Sequence, residues 1–232
     1  KVINGGDGND TPSFSRPGQV GIEHFDGGPG VDTVFATGAL HRSTFSNDET
    51  LAASHVYGAI AQFESFQGFT ARSSIHIVDA GALDLSDQTA SSMTIYASSL
   101  GNTIIGTGGN DAIRAVSGDQ AFSGGDGDDM LLGGVSDDLL NGDAGNDYIN
   151  GGAGDDQGYG GEGSDKIYGR FGNDTLAGGD GNDAINGGED DDVIHGGEGD
   201  DALVGGKIGD GDDTLYGDGG NDLLSGYIGN DS

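Results

Sequence analysis

No cysteine occurs in the 232 residues, so no disulfide holds the chain together. Basic residues are scarce as well: 8 Lys and Arg stand against 40 Asp and Glu, for a formal charge of −32. Such a polyanion excludes nucleic acid as a partner, because the phosphate backbone calls for a basic surface. No apolar run approaches the roughly 20 residues of a membrane-spanning helix, and no basic-then-apolar leader opens the chain. The usual catalytic signatures are missing too. His24, His41, His55, His76 and His195 are scattered, form neither HExxH nor a zinc-type spacing, and read as surface or structural residues. There is no GxSxG elbow. Acids abound, but a carboxylate pair that divides acid and base roles needs contrasting environments, and these aspartates recur in equivalent ones. The chain is therefore expected not to be an enzyme.

Glycine, by contrast, supplies 50 residues, well above its ordinary share of about 7%. The surplus of acids makes a compact chain repel itself, and a hard cation is the natural neutraliser. The composition is uneven. Residues 106–232 hold 37 of the glycines, 29 acids and 4 bases, net −25, whereas residues 1–105 hold 13 glycines, 11 acids and 4 bases, net −7. Seven of the nine phenylalanines lie in the first part, which therefore has material for an ordinary apolar core. The chain starts at Lys1 without Met and stops inside a repeat at Gly229-Asn230-Asp231-Ser232, as a piece of a longer protein would.

The second part repeats every nine residues. From Gly124 it reads GGDGDDMLL, GGVSDDLLN, GDAGNDYIN, GGAGDDQGY, GGEGSDKIY, and it runs on from Gly169 in the same frame. A copy at Gly106 and a degenerate one at Ala115 precede these, and the copy at Gly205 carries three extra residues, giving fourteen copies with the truncated last one. Position four is Gly except at Ser136 and Asp190, and position six is Asp except at Gln120. Position eight is large and apolar, as at Ile113, Leu131, Ile149, Ile167, Ile185 and Leu203, with Gly158 the exception among complete copies. A helix would need a 3.6-residue period, which is absent. Three residues around the apolar centre predict a very short strand and the other six a turn, so two copies make one eighteen-residue coil of a parallel solenoid.

These copies resemble the repeats-in-toxin family of calcium-binding nonapeptides, GGxGxDxUx with U a large apolar residue. The resemblance implies an all-β fold, a right-handed parallel β-roll, with calcium between successive loops on each edge. Paired aspartates should stand eighteen apart, or twenty-one across the insertion. One edge then carries Asp111, Asp129, Asp147, Asp165, Asp183, Asp201 and Asp222, and the other Gln120, Asp138, Asp156, Asp174, Asp192, Asp213 and Asp231. Gln120, a neutral amide, should weaken the start of its row. Backbone carbonyls at positions one, two and four are the further ligands the family implies. They belong to Gly124, Gly125 and Gly127; Gly142 and Gly145; Gly151, Gly152 and Gly154; Gly160, Gly161 and Gly163; Gly169 and Gly172; Gly178, Gly179 and Gly181; and Gly196, Gly197 and Gly199. Side chains at position two, such as Asp143, Arg170 and Asp218, put the glycine-type turn in doubt there. About ten calcium ions in two rows are expected, since calcium takes six to eight oxygens and one loop offers too few. Acids at positions three and five, such as Asp126, Asp128, Asp180, Asp191 and Asp200, are expected to be solvated. Gly158 should leave a thin spot in the core, and the insertion near Gly205-Gly206-Lys207 should bulge without breaking the stack.

Residues 1–105 carry two isolated copies, ending at Asp10 and Asp32, with Pro12 at the apolar position of the first. The segments Val20–Phe25 and Ile60–Phe66 are similar to each other, and short strand-like stretches are predicted at Ile75–Val78, Met93–Ala97 and Asn102–Ile105. This part is expected to form irregular solenoid coils, with a small β-sandwich as the alternative. Two settings suit such a chain: a surface-layer or adhesin segment of an extracellular bacterial protein exported by type I secretion, or the accessory module of a secreted metalloprotease, lipase or polysaccharide epimerase. Other copies of the chain or a cell-surface polysaccharide are the partners the first setting would bring, besides calcium ions.

Overall fold

A computed structural model describes residues 74–77, 80–87, 92–206, 211–227 and 229–232 in full, and within 1–73 the backbone of short strands. Every strand pairing described is parallel, and the described residues contain no helix. Strands alternate between two long sheets. One runs from Gly38–Ala39 through Ser74–Ile77, Thr94–Tyr96, Ala112–Arg114, Met130–Val135 and on to Leu223–Ser225. The other runs from Gly81–Asp84 through Asn102–Ile105, Ala121–Asp126, Leu139–Ala144 and on to Thr214–Gly219. Since consecutive strands fall in opposite sheets, the chain winds as a β-solenoid of the β-roll type.

Register confirms the coil length. Met130 pairs with Tyr148, Tyr148 with Lys166 and Lys166 with Ala184, each eighteen residues on. Across the insertion Val193 pairs with Thr214 and Ala202 with Leu223, twenty-one on, so the stack continues; the insertion residues 207–210 lie outside the described residues. Upstream the coil is irregular. Val2 pairs with His24, Phe25 with Phe45, Asp32 with Glu49 and Ser74 with Thr94, separations of 22, 20, 17 and 20. The strand Ser13–Phe14, just after Pro12, lies at the edge of its sheet, where a proline costs no ladder bond. Of the stretches read from sequence, 75–78, 93–97 and 102–105 appear as Ser74–Ile77, Thr94–Tyr96 and Asn102–Ile105, whereas only His24–Asp26 touches the first and 60–66 lies outside the described residues.

Strands in the roll are longer than the sequence suggests. Met130–Val135 and its successors span six residues, from position seven of one copy to position three of the next, leaving three residues for the turn. Their burial alternates, with position eight and the following position-one glycine both inside. Glycine is a poor strand former, but here the coils above and below impose the ladder.

Position eight fills the interior as a single layer between the sheets. From Ile113 to Leu203 these side chains are at most 2% exposed, Leu215 is 8% exposed, and Leu224, with no described coil beyond it, is 43% exposed. Gly158 does not leave the thin spot expected. A Cβ there would lie 3.0 Å from Leu176 Cδ2, 3.3 Å from Ile167 Cγ2 and 3.6 Å from Ile149 Cγ2, so neighbouring methyls have closed over it. The core continues upstream in Ile75, Ile77, Leu83, Leu85, Met93, Ile95 and Ile104, all buried.

Candidate metal centre

Each three-residue turn ends on position six, and these residues line up in two rows. The Asp111 N–H donates to Asp129 Oδ1 at 2.6 Å, Asp129 N–H to Asp147 Oδ1 at 2.7 Å, and so on through Asp165, Asp183, Asp201 and Asp222. On the other edge Gln120 N–H donates to Asp138 Oδ1 at 2.7 Å, and the row continues through Asp156, Asp174, Asp192, Asp213 and Asp231. Every carboxylate thus reaches back to the coil before it with one oxygen.

In eight of them the second oxygen has no such partner. Oδ2 of Asp129, Asp138, Asp147, Asp156, Asp165, Asp174, Asp183 and Asp201 is buried without a protein donor. A buried anionic oxygen without compensation is costly. Beside it lies a niche that only glycine leaves open: a Cβ on Gly124 or Gly133 would collide with the carboxylate of its own copy and stand 2.8 or 2.7 Å from the position-one carbonyl oxygen one coil on. Carboxylate and carbonyl oxygens therefore converge on the loop. This oxygen set suits a hard cation such as calcium. Among the described residues no three His, Cys, Asp or Glu side chains cluster as a metal site. Position six offers one buried carboxylate per loop in most copies.

Burial marks the same groups electrostatically. It pushes the Asp129 and Asp174 carboxyls up to about 8, Asp138 to about 7, and Asp147, Asp156, Asp165 and Asp183 to about 6; donated N–H bonds oppose the shift and neighbouring aspartates add to it. Folded-state values above the ordinary 3.8 mean that the metal-free roll binds more protons than the unfolded chain. Without calcium its stability should therefore rise as pH falls through the window from about 8 to about 6, and stop rising near the unfolded value. Circular dichroism in calcium-free buffer should gain β signal between pH 8 and pH 5; a loss of signal on acidification would contradict the assignment.

Position five holds a second ladder that the sequence reading missed. Asp128 Oδ1 accepts the Asn146 N–H at 2.9 Å, Asn146 Oδ1 that of Ser164 at 2.9 Å, and Asn182 Oδ1 that of Asp200 at 2.9 Å. On the other edge Asp137, Asp155, Asn173 and Asp191 do the same for the residue one coil on. The polarity is opposite to that of position six. These groups are exposed, as expected, but Asp128, Asp191 and Asp200 are not merely solvated. The bond from Asn146 holds the Asp128 carboxyl below its usual range, and Asn221 does so for Asp200. Asp126 and Asp180 at position three are exposed.

The doubt over side chains at position two is removed. Asp143, Arg170 and Asp218 adopt φ of 73°, 95° and 63°, and Ser136 and Asp190 at position four adopt 93° and 76°, so the turn keeps the glycine-type backbone with some strain. Asp213 is buried, while Asp222 and Asp231 at the last coils are half-buried. Asp10 and the side chain of Asp32 lie outside the described residues. His195, whose side chain is 44% exposed, stacks on Tyr216 and sits 3.1 Å from Asp218, and His76 stacks on Tyr96; neither joins a metal cluster.

A parallel roll with oxygen-lined niches recurring from loop to loop defines a calcium-binding β-roll. The sequence model for the RTX calcium-binding nonapeptide repeat matches residues 96–119, 123–158, 159–194, 177–207 and 209–232, more than half of the chain. The chain belongs to that family and is a calcium-binding module. No curated protein matches it.

Proposed function

We propose that this chain is a calcium-dependent folding and structural module of an extracellular bacterial protein. It stays unfolded where calcium is scarce and stacks into the roll where calcium is abundant. The supporting observation is the column of buried Oδ2 atoms without a protein donor. In this reading each ion lies between successive loops of one edge. Position-six carboxylates from Asp129 to Asp231 hold it, together with carbonyls at positions one, two and four, giving about ten ions in two rows. Residues 106–232 form the regular roll and 1–105 its irregular continuation. The parallel pairings upstream, at separations of 17 to 22 residues, favour a spacer segment of a surface-layer or adhesin protein, without catalysis of its own.

A calcium titration followed by circular dichroism tests this. The folding midpoint is expected at about 0.1–1 mM, the range of extracellular calcium modules. A midpoint below about 1 μM, in the range of cytosolic sensors and buffers, would leave the chain folded inside the cell and sink the extracellular reading.

A further inference from the structure

The first coil under the calcium rows is built differently. Asp111 does not share the unpaired Oδ2 of its successors: that oxygen accepts the Thr107 N–H at 2.6 Å and the Thr107 hydroxyl at 2.9 Å, while Oδ1 accepts the Met93 N–H at 2.6 Å. Thr107 occupies position two, where Gly125 takes φ +104°; Thr107 is not among the positive-φ residues, and its amide faces the carboxylate. On the other edge Gln120 Oε1 does what an aspartate Oδ1 does, accepting the Asn102 N–H at 2.9 Å. Its Nε2 takes the place of the orphaned oxygen and donates to the carbonyls of Ser117 at 2.8 Å and Ser98 at 3.1 Å. One of these carbonyls belongs to its own loop and the other to the coil before. An amide NH₂ holding carbonyls of two successive loops fills the bridging role that a cation has in the later coils. One coil earlier, Asn102 repeats the Thr107 device: its Oδ1 accepts the Ser98 N–H at 2.8 Å and the Ser98 hydroxyl at 2.9 Å.

Thr107, Asp111, Gln120 and Asn102 are each at most 3% exposed, so these bonds lie away from water. The apolar core is also densest here. Ile75, Ile77, Leu83, Leu85, Met93, Ile95 and Ile104 are buried within residues 74–105, whereas the later coils bury one large side chain per nine residues.

We propose that the stretch from Met93 to Ser123 is a metal-independent cap, closed by Thr107 and Gln120 where later coils close on calcium, and that the ion rows begin beyond it at Asp129 and Asp138. The proposal rests on the calcium reading of the later coils. It assigns Asp111 to the cap and not to an ion, and it supplies a preformed template on which calcium-bound coils add.

Hydrogen exchange with mass spectrometry on the full chain in chelator reads this directly. The amides of Met93, Asn102 and Thr107, donors to Asp111, Gln120 and Asp111, are expected to exchange at least tenfold slower than those of Asp165 and Asp174. Gln120→Glu should abolish that protection in chelator, regain it in calcium, and raise the calcium count by about one per chain in equilibrium dialysis. Thr107→Val, which removes only the hydroxyl, should speed exchange at Thr107 and Met93 in chelator and leave the calcium-bound state folded. Equally fast exchange in the cap and in the later coils would overturn the proposal, as would Gln120→Glu with unchanged protection and calcium count. A wild-type chain that binds no calcium, yet keeps the cap protected, would instead overturn the proposed function and spare the cap.

Discussion

Chelation of calcium is expected to unravel residues 124–232 almost completely, with loss of the β signal and a large increase in hydrodynamic radius. The copies of Gly158 and Leu224 excepted, a regular nine-residue copy buries one large apolar side chain, which stabilises by about 1.5–3 kcal/mol. Ordering nine backbone residues costs about 9 kcal/mol at the low end. Ladder hydrogen bonds add about 1 kcal/mol each, and some six per copy bring the sum close to zero. The buried carboxylate in each copy then decides the sign: uncompensated, it favours the unfolded chain; matched by calcium, it adds about 2.7 kcal/mol per ion at a hundredfold excess over the dissociation constant. Repulsion within residues 106–232, net −25, acts in the same direction. Size-exclusion chromatography and circular dichroism with and without chelator measure this. A compact, β-rich chain in chelator would show that the roll needs no ion.

The second large effect is expected from a single methyl group. Gly163, at position four, has φ +127°, and a Cβ there would fall on the Gly145 carbonyl oxygen one coil away, deep inside van der Waals contact. The obstacle is backbone, which cannot swing aside as a side chain can. Gly163→Ala should therefore cost on the order of 4 kcal/mol, the top of the range for point substitutions, in calcium-saturated thermal or urea unfolding. Gly108→Ala is the control, because nothing lies within 4 Å of its added methyl and its φ is not positive. Similar melts for the two variants would mean that the coils can move apart far more easily than their spacing indicates.

The nine-residue period made most of this architecture legible. It set two copies per coil, position eight inside, and aspartates paired eighteen and twenty-one apart, because a solenoid converts sequence spacing directly into neighbourhood. Strand length was not legible: glycine propensity argues for turns at positions one to three, whereas stacking holds them extended. The position-five ladder had a signal that went unused. Asp128, Asn146, Ser164, Asn182, Asp200 and Asn221 differ in charge but share a short side chain that ends in an oxygen acceptor, and the ladder needs only that acceptor. The reading of Gln120 as a weakened ligand misses what depends on hydrogen-bond direction: its amide nitrogen is a donor, as is the Thr107 hydroxyl on the other edge.

Nearest-neighbour stacking also gives the molecule a mechanical character. Each regular strand pairs with the strands eighteen or twenty-one residues away and with none farther off, so a pull along the axis is carried by the coils in series. A stacked coil advances the chain by about 4.8 Å, whereas eighteen residues drawn out straight span about 60 Å. Every coil that lets go would lengthen the protein more than tenfold at that point and leave its neighbours in place. Under tension the roll would extend in steps, and the calcium concentration would set the force at which each step begins.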